Sequence, residues 1–304
     1  MIRLGTRGSA LALAQAEAVA ARLRALGAEV EVVPIRTEGD RLLEARLSDL
    51  GGKGLFVREI EQALLAGVVD CAVHSLKDLP AEVAAGLALA AFPPREDPGD
   101  VLVTREGGGL AELPPRAVVG TSSPRRRALA LSLRPDLVVE PIRGNVDTRL
   151  AKLERGGFDG VIVAAAGLHR LGLRPAHACR LDPEVFVPAV GQGILALEAR
   201  AADGRVRDLL GRLDDPTTRA CALAERAYLA RLGASCNSPM AAHATLRGAD
   251  LRLAGLVASE DGRRVVRGAL AGTRGEAERL GRGLAEALLA RGAAAVAALA
   301  PRSA

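Results

Sequence analysis

The sequence predicts an α/β protein with two α/β domains and a smaller third domain, of α+β class with an antiparallel sheet. An apolar strand, a Gly-Thr turn and a helix start rich in hydroxyl and arginine side chains occur twice, at Gly5 and at Gly120. Over residues 243–270 apolar and polar residues alternate, and Asp261-Gly262 is typical of a hairpin turn. The length of 304 residues suits several domains, because domains most often contain about 100 to 150 residues.

The first domain is predicted over residues 1–93 and 194–213. Its apolar periodicity predicts strands over 2–4, 30–35 and 87–92, helices over 10–26 and 55–65, and a turn over 5–9. The helix that begins at residue 10 should end at Gly27, since glycine accepts the left-handed conformation that closes a helix. Residues 37–54 have weak periodicity and end in glycines around Lys53, which predicts a mobile loop over the site. A strand and a helix over 194–213 should return to this domain.

The second domain is predicted over 94–193 and the third over 214–304. In the second domain, strands are expected over 118–120, 137–141 and 160–164, with helices from Pro124 and over 146–153. Ser123 should cap the first of these helices, and Pro124 suits the first helical position because its missing N–H costs nothing there. In the third domain, a long helix over 217–232 precedes three strands, and a helix over 276–289 closes the chain.

The composition excludes several classes of function. With no Trp, one Tyr and four Phe, the chain has almost nothing to stack on bases, so its net charge of +5 favours small anions over nucleic acid. No apolar run approaches the ~18 residues of a membrane span, and the first residues do not resemble a secretory signal, so we expect a cytoplasmic protein. The four cysteines are far apart, and neither CxxC nor HExxH spacing occurs, so neither a metal site nor a disulfide framework is predicted.

A strand over 68–73 runs into a turn that carries His74, Ser75, Lys77 and Asp78. Ligands of open α/β sheets bind outside the carboxyl ends of strands, so this turn is the first candidate site. The alternative is a solvated turn that is polar by chance.

Two helix N-termini, after Gly5-Thr6 and after Gly120-Thr121, form a candidate anion trap that we expect to face across two domains, since free N–H groups and the helix dipole favour negative charge. Arg143 and Arg149 add a further basic turn, and arginine suits carboxylates and phosphates. The alternative is ordinary surface arginines, because only three of the 41 basic residues are lysine.

Two further motifs were weighed. Residues 191–196 match GxGxxA, but a proline-bearing turn precedes them and a strand-like segment follows, so dinucleotide binding is discounted. Cys236 lies in a Gly/Ser/Asn/Pro loop where a thiol would be accessible and a basic surround would favour its thiolate, whereas Cys71 and Cys221 lie in apolar segments typical of a core. An inert loop cysteine is the alternative for Cys236.

Taken together, these stretches resemble the porphobilinogen deaminase (hydroxymethylbilane synthase) family of tetrapyrrole and heme biosynthesis, nearly end to end. The similar blocks occur in family order: Thr6-Arg7-Gly8-Ser9, Gly51-Gly52-Lys53-Gly54-Leu55-Phe56, His74-Ser75-Leu76-Lys77-Asp78, Gly120-Thr121-Ser122-Ser123-Pro124-Arg125-Arg126, Arg143-Gly144-Asn145-Val146 and Pro188-Ala189-Val190-Gly191-Gln192-Gly193. The family reads Gly-Gly before its cysteine, and this chain reads Ala234-Ser235, a local departure.

The resemblance implies a transferase that joins four porphobilinogen molecules with release of ammonia and gives hydroxymethylbilane. It also implies two periplasmic-binding-protein-like domains and a covalent dipyrromethane cofactor, held by a thioether to Cys236 in the third domain. The implied catalytic residue is Asp78. The other cofactor-binding residues implied are Lys77, Ser75, Thr121, Ser123, Arg125, Arg126, Arg143 and Gly144. The implied substrate-binding residues are Arg7, Ser9, Lys53, Phe56, Arg149 and Arg170.

The chemistry agrees with these residue types. Porphobilinogen becomes a cationic azafulvene when it loses ammonia, and a carboxylate such as Asp78 can stabilise that charge. Each substrate brings two carboxylates, so many arginines are needed. The rival hypothesis is a non-catalytic anion-binding protein of the same two-domain architecture, which would not explain Asp78 or Cys236. We expect a monomer whose partner is the small-molecule substrate, with no nucleic acid and no membrane.

Overall fold

The computed structural model describes residues 1–36, 57–233 and 238–297. The chain divides into two compact units, Met1–Glu96 with Ile194–Arg219, and Asp97–Gly193 with Ala220–Ala304. The second unit holds both the second α/β sheet and the C-terminal sheet. The finer division into three domains at the boundaries given above stays a prediction.

The described elements share one bounded order along the chain, in which strands and helices alternate up to residue 211. They are β1 (Ile2–Arg7), α1 (Ala10–Ala25), β2 (Val30–Ile35), α2 (Arg58–Leu65), β3 (Cys71–Ser75), β4 (Leu87–Ala91), β5 (Asp100–Thr104), β6 (Val118–Gly120), α3 (Pro124–Leu133), β7 (Val138–Glu140), α4 (Val146–Glu154), β8 (Gly160–Ala164), α5 (Ala165–Arg170), β9 (Ala178–Arg180), β10 (Leu195–Arg200), α6 (Gly204–Gly211), α7 (Pro216–Leu232), β11 (Met240–Arg247), β12 (Asp250–Ala258), β13 (Val265–Thr273), α8 (Ala277–Ala290) and α9 (Ala293–Val296).

The sheet of the first unit has the strand order β2-β1-β3-β10-β4. β1 pairs in parallel with β2 and β3, whereas β10 is antiparallel to both β3 and β4. Leu4, Leu23 and Leu197 are fully buried where α1 and the sheet pack together. The predicted return of residues 194–213 to this unit is confirmed, because β10 lies between two of its strands.

The α/β sheet of the second unit repeats this arrangement. Its order is β7-β6-β8-β5-β9, with β6 parallel to β7 and β8, and with β5 antiparallel to β8 and β9. β5 therefore occupies the position that β10 has in the first sheet. The predicted strands β6, β7 and β8 are confirmed, but β5 and β9 were not predicted, because the segment after the prolines was interpreted only as a crossing.

The third sheet is an antiparallel meander, β11-β12-β13, as predicted. α7 and α8 cover it, and the buried Tyr228, Leu253 and Leu284 belong to the core between them. The tip of the β12–β13 hairpin is Gly262, whose φ of +70° lies in the left-handed region. A Cβ added there would lie 2.4 Å from the carbonyl oxygen of Ala128 in α3. The hairpin tip thus rests directly on the backbone of α3.

Two details of the sequence prediction change. The turn expected over residues 5–9 is wrong in its first half, because Gly5–Arg7 continue β1 and pair with Val33–Ile35 of β2. The strand expected from residue 68 begins only at Cys71. The predicted mobile loop over 37–54 lies outside the described residues. α1 ends before Gly27, which has φ +87° as expected.

We expect Gly262→Ala to destabilise the protein much more than Gly248→Ala. Gly248 forms the other hairpin tip with φ +62° but has open space around it, so its replacement should cost about 1–2 kcal/mol of conformational strain. At Gly262 the contact with α3 should add about 1–3 kcal/mol. Thermal unfolding of both variants measures the difference, and equal losses would show that the hairpin does not depend on this contact.

Candidate functional site

The polar turn after β3 lies at the carboxyl end of the parallel strands β1 and β3. Leu76–Asp78 form one 3-10 turn, closed by a hydrogen bond from the Leu79 N–H to the Leu76 carbonyl oxygen. The Leu76 N–H donates to the Ile194 carbonyl oxygen, which fixes the turn to the chain just before β10. Leu76 is buried, Lys77 is half-buried and Asp78 is exposed. The turn therefore presents its carboxylate to solvent from an anchored base.

A recess of the first unit collects several of the predicted site residues. Its lining includes Arg7, Ser9, Ser75 and Asp78, together with apolar and neutral side chains of α1 and β3. The structure thus brings together four residues that are far apart in the sequence. Their roles in binding and catalysis stay predictions.

The first turn of α1 forms one wall of this recess. The Ser9 hydroxyl accepts a hydrogen bond from the Ala12 N–H at 3.3 Å and so caps the helix. Gln15, one turn further, donates to the Ser75 hydroxyl at 3.0 Å. This bond joins α1 to the end of β3, so the two walls of the recess are held at a fixed distance.

Behind the recess, His74 and Glu198 form a buried pair that the sequence analysis did not find. The His74 Nε2 and the Glu198 Oε2 are 2.9 Å apart. Burial raises the pKa of Glu61 on α2, and the neighbouring charge of Glu198 raises it further. Glu198 lies in the strand β10, and an acidic residue inside an apolar strand pattern was the available signal.

In the second unit, α3 begins as the sequence predicts. The Ser123 hydroxyl accepts a hydrogen bond from the Arg126 N–H at 3.4 Å, and Pro124 occupies the first turn. Thr121 is buried, and its hydroxyl accepts from the Ser123 N–H at 3.2 Å. These bonds fix the start of α3 at the carboxyl end of β6.

Arg125 and Arg126 point into the unit and are not surface arginines, so that alternative is wrong for both. They are 4% and 6% exposed. Both bind the fully buried Asp100, Arg125 through Nη1 at 2.7 Å and Arg126 through Nε at 2.9 Å. Burial of Asp100 disfavours its charged form, but the charges of Arg125 and Arg126 outweigh this and lower its pKa. Sequence reasoning missed Asp100 because β5 was missed.

Arg149 on α4 belongs to the same electrostatic environment. Its Nε donates to the Gly144 carbonyl oxygen at 2.8 Å. Burial, together with the like charge of Arg126, lowers the pKa of Arg149 to about 10. Gly144 has φ +106°, and a Cβ there would lie 2.6 Å from the Thr148 side chain, so the turn requires glycine.

Two other predicted arginines flank this region of the chain. Arg143 is half-buried, and its carbonyl oxygen accepts a hydrogen bond from the Lys152 side chain at 3.2 Å. Arg170, at the end of α5, donates from Nη2 to the Gly193 carbonyl oxygen at 2.7 Å. Arg170 is thereby fixed to the segment that precedes β10.

Three predicted site residues lie outside the described part of the chain: Lys53, Phe56 and Cys236. Among the described cysteines, Cys71 and Cys221 are buried, as expected of core residues, and Cys179 is half-buried. Burial raises the pKa of the Cys71 thiol to about 12. Within residues 1–36, 57–233 and 238–297, no three His, Cys, Asp or Glu side chains cluster as metal ligands.

None of the helices in the described ranges is long and apolar enough to cross a membrane. This finding concerns spanning helices alone.

Comparison with known proteins identifies the family. The model described as "Porphobilinogen deaminase, dipyromethane cofactor binding domain" matches residues 2–208, and "Porphobilinogen deaminase, C-terminal domain" matches residues 219–290. The chain is 50% identical to the porphobilinogen deaminase of Syntrophobacter fumaroxidans over 295 residues, which is 96% of each chain. It is also 50% identical to that of Syntrophotalea carbinolica over 294 residues, covering 96% of this chain and 93% of the relative.

Among solved structures, a periplasmic substrate-binding protein of an ABC transporter from Coxiella burnetii is similar with a TM-score of 0.40 and 17% identity. The similarity covers 74% of this chain and 97% of that one. At this score the likeness carries no argument, and the α/β assignment depends on the strand orders given above. The family matches support the enzyme and not the rival anion-binding protein. On these sequence matches over nearly its whole length, the chain belongs to the porphobilinogen deaminase family.

Proposed function

We propose that this chain joins four porphobilinogen molecules with release of ammonia and produces the linear tetrapyrrole hydroxymethylbilane. The observation that carries the proposal is the position of Asp78, a carboxylate at a recess that Arg7 and Ser9 also line. A cationic intermediate needs the carboxylate, and a substrate with two carboxylates needs the basic and hydroxyl groups. Both requirements meet in one unit.

The arginines of the second unit fit a cofactor that carries several carboxylates. Arg125 and Arg126 share one buried carboxylate, Asp100, so the three side chains have an excess of positive charge. The Nε of Arg125 is buried and has no hydrogen-bond partner in the described part of the chain. The lowered pKa of Arg149 has the charge of Arg126 as its second cause. A carboxylate placed among these groups would relieve their repulsion.

We therefore infer that Arg125, Arg126, Arg143 and Arg149 hold the carboxylates of dipyrromethane. When bound, dipyrromethane supplies the pyrrole end to which substrate units are added. Ser123 and Thr121 fix the start of α3, whose N–H groups and dipole favour the same negative charges. These residues bind and orient, and none of them needs to exchange a proton with the substrate.

Asp78 is the residue that we infer to act on the reacting atoms. As the aminomethyl group of the substrate leaves as ammonia, positive charge develops on the pyrrole, and a carboxylate beside the pyrrole N–H stabilises it. The same oxygen can accept the proton that the growing ring releases after the new carbon–carbon bond forms. The anchored 3-10 turn keeps this carboxylate in place, so it needs little reorganisation during the reaction.

Cys236 is the proposed attachment point of the cofactor, through a thioether. It follows α7 by four positions and lies outside the described residues. The described cysteines support this choice by elimination only in part: Cys71 and Cys221 are buried, and Cys179 is half-buried. Lys53 and Phe56 are proposed to contact substrate, and Arg170, Lys77, Ser75 and Gly144 complete the proposed site.

We further propose that the protein works in the cytoplasm, as a monomer, with porphobilinogen as its partner and without nucleic acid. Free thiols at Cys71, Cys179 and Cys221 agree with a reducing compartment. The near absence of aromatic residues disfavours base stacking. Cell fractionation and the native mass in solution test the compartment and the monomer.

We expect alkylating reagents to distinguish the cysteines. At neutral pH Cys71 should stay unmodified in the folded protein, because burial holds its pKa at about 12 and excludes the reagent. Cys221 should be protected by burial, and Cys179 should react slowly. Peptide mapping before and after denaturation provides the comparison. Rapid modification of Cys71 in the folded state would contradict its place in the core.

The protein purified from cells that make tetrapyrroles should weigh more than its sequence by two porphobilinogen units less two ammonia molecules. A thioether survives denaturation, whereas an ion-paired ligand does not, so the addition should map to Cys236 by peptide analysis. Cys236→Ser should carry none of it, and Cys179→Ser is the matched control that should keep it. An unmodified wild-type protein that still makes bilane would refute covalent priming.

Asp78→Asn should fold normally and lose about 10²- to 10³-fold in turnover, because the amide keeps the size of the side chain and removes the charge that opposes the cation. Since Asp78 is exposed, the melting temperature should hardly change. Bilane formation by the purified variant measures the loss. Turnover within a few-fold of wild type would place the catalytic carboxylate elsewhere.

A further inference from the structure

The buried carboxylate of Asp100 joins several segments of the second unit. It accepts hydrogen bonds from Arg125 Nη1 at 2.7 Å, Arg126 Nε at 2.9 Å and Gln192 Nε2 at 3.0 Å. Asp100 is completely buried. Because two of its partners are charged, the position of this one group decides where both guanidinium groups lie.

Backbone carbonyl groups complete the orientation of the two arginines. Arg125 Nη1 also donates to the Val187 carbonyl oxygen at 2.8 Å, and Arg126 Nη1 donates to that of Ile162 at 2.9 Å. A guanidinium group is planar and has donors in fixed directions, so two such contacts leave it little freedom. The remaining donors of each group are thereby aimed in one direction.

Gln192 in turn fixes Asp100. Its Nε2 also donates to the Pro98 carbonyl oxygen at 2.7 Å, and its side chain is buried. The neighbouring Gly191 N–H donates at 2.6 Å to Glu225, a fully buried residue of α7. A continuous path of buried polar contacts therefore runs from α7, through Gly191 and Gln192, to Asp100 and α3.

The topology places this path at the edge where ligands bind. Asp100 begins β5 and pairs with Ala164, the last residue of β8, because the two strands are antiparallel. The start of β5 thus lies beside the carboxyl ends of β8 and β6, and α3 begins directly after β6. A carboxylate at the start of any parallel strand of this sheet would lie at the opposite edge.

We propose that Asp100 and Gln192 are positioning residues of the cofactor site, which hold Arg125 and Arg126 in the orientation that binds carboxylates. This inference depends on the proposed function. Glu225 extends the same network into α7, the helix that leads to the proposed attachment residue Cys236. The network thereby sets the arginines and the base of the cysteine loop in one rigid frame within the second unit.

The variants Asp100→Asn and Gln192→Met test this proposal. The first keeps the shape and removes the charge, and the second keeps much of the volume and removes the hydrogen-bond donor. Asp70→Asn is the matched control, because Asp70 also pairs with an arginine, Arg3 at 2.8 Å, and its pKa is also lowered by that bond. Asp70 precedes β3, at the end of the strand opposite to Asp78.

Two readouts separate positioning from a general loss of stability: the fraction of chains that carry the added mass, and the Michaelis constant for porphobilinogen. We expect both test variants to carry the addition on a smaller fraction of chains, and the loaded chains to show a KM raised about tenfold with a smaller change in kcat, as for lost charge-assisted contacts. Asp70→Asn should melt earlier and keep wild-type occupancy and KM.

The proposal is overturned if the test variants keep full occupancy and a wild-type KM while only their melting temperature falls. If Asp100→Asn does not fold, Gln192→Met decides alone, since it leaves the ion pairs in place. A wild-type protein without the added mass refutes the proposed function, and is thereby distinguished from a failure of this inference.

Discussion

The second unit is organised around one buried carboxylate. Asp100 receives two guanidinium groups from α3 and the amide of Gln192, and those arginines in turn contact the backbone of β8 and of the segment before Pro188. Removal of one partner from such a buried group typically costs about 3–5 kcal/mol, because the remaining charge is left without compensation. The strand, the helix and the connecting segment therefore depend on the same interaction.

Both α/β sheets use an antiparallel strand in the same way. In the second unit β5 brings Asp100 to two arginines, and in the first unit β10 brings Glu198 to His74, one residue before Ser75 in the recess. In each case an acidic side chain from the antiparallel strand neutralises and orients a basic one. The repeated Gly-Thr pattern of the sequence is thus the visible part of a repeat that extends to the whole sheet.

The sequence predicts well what depends on local pattern. The caps at Ser9 and Ser123, the helix end at Gly27 and the hairpin at Gly262 follow from one residue type in a required conformation, and the structure has them all. It also indicates the recess, because residues at the carboxyl ends of parallel strands must meet. The roles of the recess residues stay predictions that no geometry alone can decide.

The features that were missed depend on partners far away in the chain. Asp100 and Glu198 each lie inside a short apolar strand, where an isolated acidic residue does not reveal which base it meets. The distance along the chain between Glu198 and His74, or between Gln192 and Asp100, exceeds any local pattern. Periodicity could therefore not predict that Arg125 and Arg126 are buried, since it describes only the helix on which they lie.

The strand order of the first sheet has a consequence for synthesis of the protein. β10 lies between β3 and β4, so the nascent first unit has two unpaired strand edges until residues 195–200 leave the ribosome. All strands of the second α/β sheet, from Asp100 to Arg180, are made before that moment. Because domains fold as their residues emerge, the second sheet can pair completely while the first still waits for its missing strand. The N-terminal part of this chain is translated first but is the later of the two sheets to close.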